Sequence, residues 1–167
     1  MNQAERVTLA DLERAAAEVI ATATASRWTL ATAESLTGGM VGQTLCAVPG
    51  ASAVFQGGVI SYASSVKAQV LGVDGKLLAE RGSVDPQVAE QMAAGAARAC
   101  GAQVAVSTTG VAGPQPHDGK PVGCVYLGIF SPRGVRQIER HYTGDRAAIR
   151  AQATWDALKL MTEELQG

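Results

Sequence analysis

The chain has 167 residues, of which 47% are apolar and 17% charged, with a net charge of −1. That composition excludes a disordered chain and suits one globular domain, spanning 1–167, with a real core. It has no run of Lys or Arg and only 4% aromatic residues, so neither a nucleic-acid surface nor a base-stacking platform is expected. No apolar stretch approaches a membrane span. Met1–Arg6 lacks the basic-then-apolar pattern of a secretory leader. The three cysteines, Cys46, Cys100 and Cys124, are scattered among apolar neighbours. They read as small core side chains. Without a C-x-x-C or a His pair at ligand spacing, no metal is called for, and a reducing cytoplasm fits.

In chain order, Thr8-Leu9-Ala10-Asp11 reads as a variant capping box opening a helix with Leu12, Ala16, Val19 and Ala23 on one face. Trp28–Thr32 is predicted as a buried strand. Met40–Leu45 is predicted as a helix, and Val48–Ser52 as a turn. Phe55–Tyr62 reads as a second strand. Ser64–Leu71 has helical spacing through Val66 and Val70 and stops at Gly72, and Lys76–Glu80 is a further short helix. Asp85-Pro86 opens a helix running to Cys100. Its Ala/Gly-rich side allows close approach to a sheet or to a second copy of the chain, so a homodimer is expected. Gln103–Ser107 is a third strand. Val122–Phe130 and Val135–Tyr142 form a hairpin about Ser131–Gly134. Gly144-Asp145 precedes a last helix with Ile149, Ala153, Ala157 and Leu160 on one face. This order predicts a three-layer α/β/α sandwich with a mixed, mostly parallel sheet and a C-terminal β-hairpin edge.

The densest signal is Ala33-Glu34-Ser35-Leu36-Thr37-Gly38-Gly39, at a junction from strand to helix. Ligands of open α/β sheets bind outside the carboxyl ends of strands. Gly38 and Gly39 let backbone approach a ligand, the helix start favours an anion, and Ser35 would stand exposed as a nucleophile. A second hydroxyl-rich and glycine-rich junction follows Ser107, at Thr108-Thr109-Gly110. If both strands are parallel, the two loops share one sheet edge. A third exit, Ser61–Lys67, offers the Tyr62 phenol and the Lys67 amine.

A serine needs a base. The histidines, His117 in a Pro-rich loop and His141 at a strand end, read as structural or surface residues. Elimination leaves Lys67, which requires burial or a neighbouring cation to lower its pKa. Val66 and Val70 offer that burial. By spacing alone, Lys67 reads as a solvated helix residue and Tyr62 as an aromatic at a sheet edge. Glu34 points away from Ser35 and reads as a hydrogen-bond acceptor for nearby backbone or a helix start. Arg146 and Arg150 share a helix face. Arg146 reads either as a phosphate contact or as half of a surface ion pair. Ser64-Ser65-Val66-Lys67 matches the S-x-x-K of penicillin-recognising enzymes, but their companion motifs are missing.

Taken together, Glu34–Gly39, Pro49–Ser52, Phe55–Val59, Ser61-Tyr62, Lys67, Thr109–Pro114 and Lys120–Gly123 resemble the CinA carboxy-terminal domain family, over most of the chain. The resemblance implies a bacterial enzyme that deamidates nicotinamide mononucleotide (NMN) to nicotinate mononucleotide and ammonia, in pyridine-nucleotide recycling and without a cofactor. It implies Ser35 as nucleophile, with Lys67 and Tyr62 as activating partners. It also implies a substrate site shaped by Thr37, Gly38, Gly39, Thr109 and Gly110, with Gln91 and Arg146 at matching positions. Backbone N–H groups near Gly38 or Gly110 would hold the oxyanion. Two other readings are a catalytically silent nucleotide-binding regulatory module linked to competence or DNA damage, and a serine hydrolase of another amide. Gln115–Gly119 departs from the family's glycine-rich continuation, and the chain is expected to lack the amino-terminal domain of longer members.

Overall fold

The computed structural model describes residues 6–167, so Met1–Glu5 of the opening segment lie outside it. Helix α1 (Leu9–Ser26) begins with the predicted capping box. Thr8 Oγ1 accepts from Asp11 N (3.2 Å) and Asp11 Oδ2 accepts from Thr8 N (2.8 Å). Strand β1 (Leu30–Glu34) is buried at every residue. Then come α2 (Met40–Cys46), a 3-10 turn (Ala51–Ala53), β2 (Phe55–Ile60), α3 (Ser64–Leu71), α4 (Gly75–Arg81) and α5 (Pro86–Cys100). Strands β3 (Val104–Gly110), β4 (Cys124–Ser131) and β5 (Gly134–His141) lead into α6 (Arg146–Gln166), capped by the Asp145 side chain on Ala148 N at 2.8 Å.

The sheet order is β2-β1-β3-β4-β5. β1 pairs in parallel with β2 and β3, while β4 runs against both β3 and β5, so the hairpin forms one edge. From β1 the chain steps to β2, then crosses back over β1 to β3. Crossovers between parallel strands are right-handed, so reversing direction sends the second crossover over the opposite face. α1, α2 and α6 pack on one face, around Leu30, Val104, Val106 and Leu127. α5 covers the other together with the end of α3, with Ala31, Ala33 and Ala105 in one cluster with Val88 and Met92 of α5 and Leu71 of α3. The three-layer α/β/α architecture is therefore as predicted. The switch of direction at β1 brings the ends of β1, β2 and β3 to one crevice.

Three local expectations change. β1 lies two residues later than predicted, so Glu34 belongs to the strand. β3 runs on to Gly110, which puts Thr108 and Thr109 inside the ladder opposite Leu127 and Tyr126. Of the cysteines, only Cys124 is buried, while Cys46 is exposed and Cys100 intermediate. Both lie at the last residue of a helix, Cys46 of α2 and Cys100 of α5, where packing against the sheet runs out.

The small residues of α5 are used within the chain. Ala89, Ala93, Ala96 and Ala97 are buried. A Cβ on Gly95 would overlap the Leu71 carbonyl, and one on Gly128 would overlap the Ala89 carbonyl. These small residues therefore pack α5 against α3 and the sheet. Among the described residues, no helix is long and apolar enough to cross a membrane. Gly95→Ala is expected to destabilise the fold by about 2–3 kcal/mol through overpacking against fixed backbone. Gly75→Ala, with nothing within 4 Å, is expected to change stability by less than about 1 kcal/mol or to raise it. Urea unfolding of the two variants checks the contrast.

Candidate active site

The junction after β1 is built around Glu34, whose residue is 1% exposed. Its carboxylate accepts from Thr37 Oγ1 (2.7 Å), Gly39 N (3.0 Å), Val41 N (3.0 Å) and Gly42 N (2.7 Å). The helix start has orphan N–H groups and a positive dipole end. Gly39, at the N-cap with φ +99°, has no side chain to serve them. Glu34 reaches from the strand and caps α2 from below. The anion expected at this helix start is therefore one the chain already carries, and the α2 terminus is not open to substrate.

This arrangement fixes the Ser35 loop. Ser35 N donates to Thr108 O (2.9 Å), extending the β1–β3 ladder by one residue. Gly38, at φ +58°, turns so that its N–H donates to Ser35 O at 3.0 Å. Thr37 is fully buried, and its hydroxyl meets Thr108 Oγ1 at 2.7 Å. Arg150 of α6 donates to Leu36 O (2.9 Å) and Thr37 O (3.0 Å). Ser35 itself is half-buried rather than standing free.

Lys67 is the largest fully buried side chain, at 0% exposure. Its Nζ donates to Ser35 Oγ (3.0 Å), Ser61 O (2.6 Å) and Tyr62 O (3.4 Å). The inward face of α3 is the i, i+4 pair Lys67 and Leu71. Val70 is 47% exposed and Val66 only half-buried, so this pair does not form the buried face expected of it. All three acceptors are neutral. Burial removes water from the ammonium form and lowers the Lys67 pKa from 10.5 to about 8, with the Asp118 carboxylate pulling back upward. The solvated reading of Lys67 is overturned.

Tyr62 is 63% exposed. Its carbonyl joins the Lys67 cluster, whereas its phenol accepts from Arg146 Nη2 (2.9 Å). Arg146 also donates to Gly113 O (2.8 Å), bridging two loop exits. These partners are a carbonyl and a phenol, not the carboxylate of the expected surface ion pair. Thr109 Oγ1 donates to Ser83 O (2.6 Å) and is 1% exposed, so its hydroxyl is committed to backbone. Gly110 is required by close pairing, since a Cβ there would meet Val125 Cγ2 at 2.6 Å and Cys124 O at 2.7 Å. Gln91 does not join the cluster. Its Oε1 accepts from Asp74 N (2.8 Å), on the link between α3 and α4. His117 and His141 pair with Asp118 (3.4 Å) and Glu139 (2.9 Å), and neither bonds to Ser35. At the hairpin edge, ligand atoms of Cys124, Glu139 and His141 lie within 4.8 Å of one another, a grouping that the search for His pairs along the sequence did not reveal. Arg150 and Thr108 were also missed. The first left only its spacing from Arg146 as a signal, and the second lay in a segment read as loop.

The sequence profile of the CinA C-terminal domain matches residues 12–165. A CinA-like protein of Frankia casuarinae is 49% identical over 139 residues, covering 83% of this chain and 32% of its own length. Another, from Anaeromyxobacter dehalogenans, is 49% identical over 135 residues, covering 79% of this chain and 33% of its own. The chain thus spans about a third of the length of these curated relatives. The crystal structure of competence/damage inducible protein CihA from Agrobacterium tumefaciens superposes with a TM-score of 0.89 at 36% identity, covering 94% of this chain and 96% of that one. A CinA superfamily protein from Escherichia coli gives a TM-score of 0.88 at 28% identity, covering 98% and 94%.

Glu34→Ala is expected to leave three backbone donors and the Thr37 hydroxyl without their acceptor. The cost is about 3 kcal/mol or more, at about 1–3 kcal/mol per stranded group. Glu34→Gln, which keeps an acceptor oxygen, is expected to lose less than Glu34→Ala. Denaturant unfolding monitored by circular dichroism checks the order.

Proposed function

This chain belongs to the CinA C-terminal domain family, and on that premise we propose that it is an amidohydrolase that deamidates NMN through a Ser35 nucleophile and a Lys67 base. The observation that carries the reading is the 3.0 Å contact between Lys67 Nζ and Ser35 Oγ, made by an amine with no exposure and a pKa near neutrality, about 8. A lysine in that state is the kind of group that can take a hydroxyl proton near physiological pH.

In this reading, neutral Lys67 accepts the Ser35 proton as Oγ attacks the carboxamide carbon. Negative charge develops on the amide oxygen. Gly38 N–H is already donated to Ser35 O, so the oxyanion is assigned to the Gly110 amide and not to Gly38. The Lys67 ammonium then protonates the carboxamide nitrogen, the C–N bond breaks, ammonia leaves, and the acyl group stays as an ester on Ser35. Water, deprotonated by Lys67 in turn, hydrolyses the ester on Ser35. The Tyr62 carbonyl steadies the amine, and its phenol with Arg146 forms the mouth, where a cationic side chain suits the substrate phosphate. Thr37 and Gly39 act through the loop they hold with Glu34. The regulatory-module reading shares the fold and the printed names of the relatives, but it gives the buried Lys67–Ser35 contact no work. The hydrolase reading accounts for that contact.

Ammonia release is expected from NMN and not from nicotinamide or glutamine. Ser35→Ala and Lys67→Met are each expected to lose activity by about 10²–10⁴-fold. The base must be neutral, so kcat/KM is expected to fall about tenfold per pH unit below a midpoint at about 8 and to level off above it. NMN turnover that survives Ser35→Ala, or a profile that is flat from pH 6 to 9, contradicts the mechanism.

A further inference from the structure

The hairpin edge carries a second chemical cluster, made of residues that the Ser35–Lys67 pair does not use. Cys124 opens β4 and stands opposite His141, the last residue of β5. Glu139 lies two residues before His141 and stands opposite Tyr126. Side chains alternate between the faces of a strand and cross-strand partners share a face, so Cys124, Glu139 and His141 lie on one side of the hairpin. The Cys124 Sγ, a Glu139 carboxylate oxygen and a His141 ring nitrogen are all within 4.8 Å of one another. His141 Nε2 and Glu139 Oε1 are 2.9 Å apart. Two ligands each about 2.1 Å from a tetrahedral ion stand roughly 3.4 Å apart, so a small rotation of either side chain opens the bite. Both have the freedom for it, with side chains 66% and 47% exposed. Cys124 is 2% exposed and forms the floor beneath them. The hairpin, not a local motif, brings the three together, which is why no ligand spacing shows along the sequence.

We propose that Cys124, Glu139 and His141 bind one divalent cation of the zinc type, with a fourth position left to water. The donor set selects the ion. Sulfur, imidazole nitrogen and carboxylate oxygen together suit zinc and its transition-metal neighbours, whereas magnesium and calcium take oxygen alone. The charges also match. A thiolate and a carboxylate balance the two positive charges of the ion, and the imidazole binds as the neutral ring. On binding, a sulfur–metal bond replaces the S–H bond and the thiol proton passes to bulk water. A Cys–His nucleophile is the other chemistry such a trio could serve, but a thiol at 2% exposure has no room for a substrate. A bare ion drawn in by the two exposed arms needs none. Two cations stand beside the cluster. Arg140 is turned away onto Asp156 (3.0 Å), and Lys120 donates to the Tyr126 hydroxyl (3.4 Å). Nothing in this site depends on the amidohydrolase reading.

Cobalt(II) reports such a site directly, because a thiolate ligand gives a near-ultraviolet charge-transfer band and tetrahedral coordination gives intense visible bands. The full chain is titrated in reduced form with Cys46→Ser, which removes the exposed thiol. Both bands are expected to saturate at one cobalt per chain, and added Zn²⁺ is expected to bleach them by displacing the cobalt. Cys124→Ser is expected to abolish the charge-transfer band. His141→Ala and Glu139→Gln are each expected to weaken cobalt binding by about tenfold or more. These two replace exposed side chains, so they carry the test if Cys124→Ser does not fold. Zn²⁺ is also expected to raise the Tm of the Cys46→Ser protein and to leave that of its His141→Ala version unmoved. A protein that shows no charge-transfer band in excess cobalt overturns the proposal. So does a band that survives Cys124→Ser, or one indifferent to both His141→Ala and Glu139→Gln. In those cases the trio is a surface ion pair beside a core cysteine.

Discussion

A buried primary amine with only neutral oxygens around it is the constraint on which this site depends. An ammonium group stripped of water is costly unless it is paired or gives up its proton. Lys67 meets the serine hydroxyl and two main-chain carbonyls, which satisfy its donors without restoring a full counter-charge. The balance between the charged and neutral forms therefore falls near neutrality. The elements around it serve that end. β2 stops at Ile60 so that the Ser61 and Tyr62 carbonyls face the amine. α3 turns Lys67 and Leu71 inward together, so the helix that buries the amine also anchors it in the core.

The serine is held with comparable care by a second buried charge. The Glu34 carboxylate sits on the first turn of α2, where the dipole and the orphan amides favour an anion. The loop between Glu34 and α2 is thereby closed from inside, and Arg150 ties its outer carbonyls to α6. Glycine at 38 and 39 is required by the left-handed turn that lets those amides converge. The result is a serine whose main chain is fixed by β3, whose loop is fixed by Glu34 and Arg150, and whose hydroxyl meets Lys67. Preorganisation of this kind reduces the rearrangement left for the reacting state.

Much of this was legible along the chain. Capping residues announced α1, α5 and α6, and the alternation of elements announced the layers. The clustering of hydroxyls and glycines after β1 pointed to Ser35, and elimination of the histidines pointed to Lys67. The errors share a cause. Val66 and Val70 are apolar at helical spacing, yet the core took Lys67 and Leu71, because the end of the sheet supplies polar acceptors where an amphipathic pattern expects oil. The α5 alanines said only that something approaches closely, and within the chain they meet α3 and the sheet. Arg150, Ser83 and Asp118 act across long sequence separations, and no local pattern encodes which carbonyl or carboxylate they will meet.

The most direct test of the central claim is the pH dependence of Ser35 modification by a small sulfonyl fluoride, followed by peptide mass spectrometry and needing no assumption about substrate. The account expects modification at Ser35, with a rate that rises through a midpoint at about 8 as Lys67 loses its proton. It also expects a collapse of that rate in Lys67→Met. Modification at another residue, or a Ser35 rate indifferent both to pH and to the loss of Lys67, would contradict it.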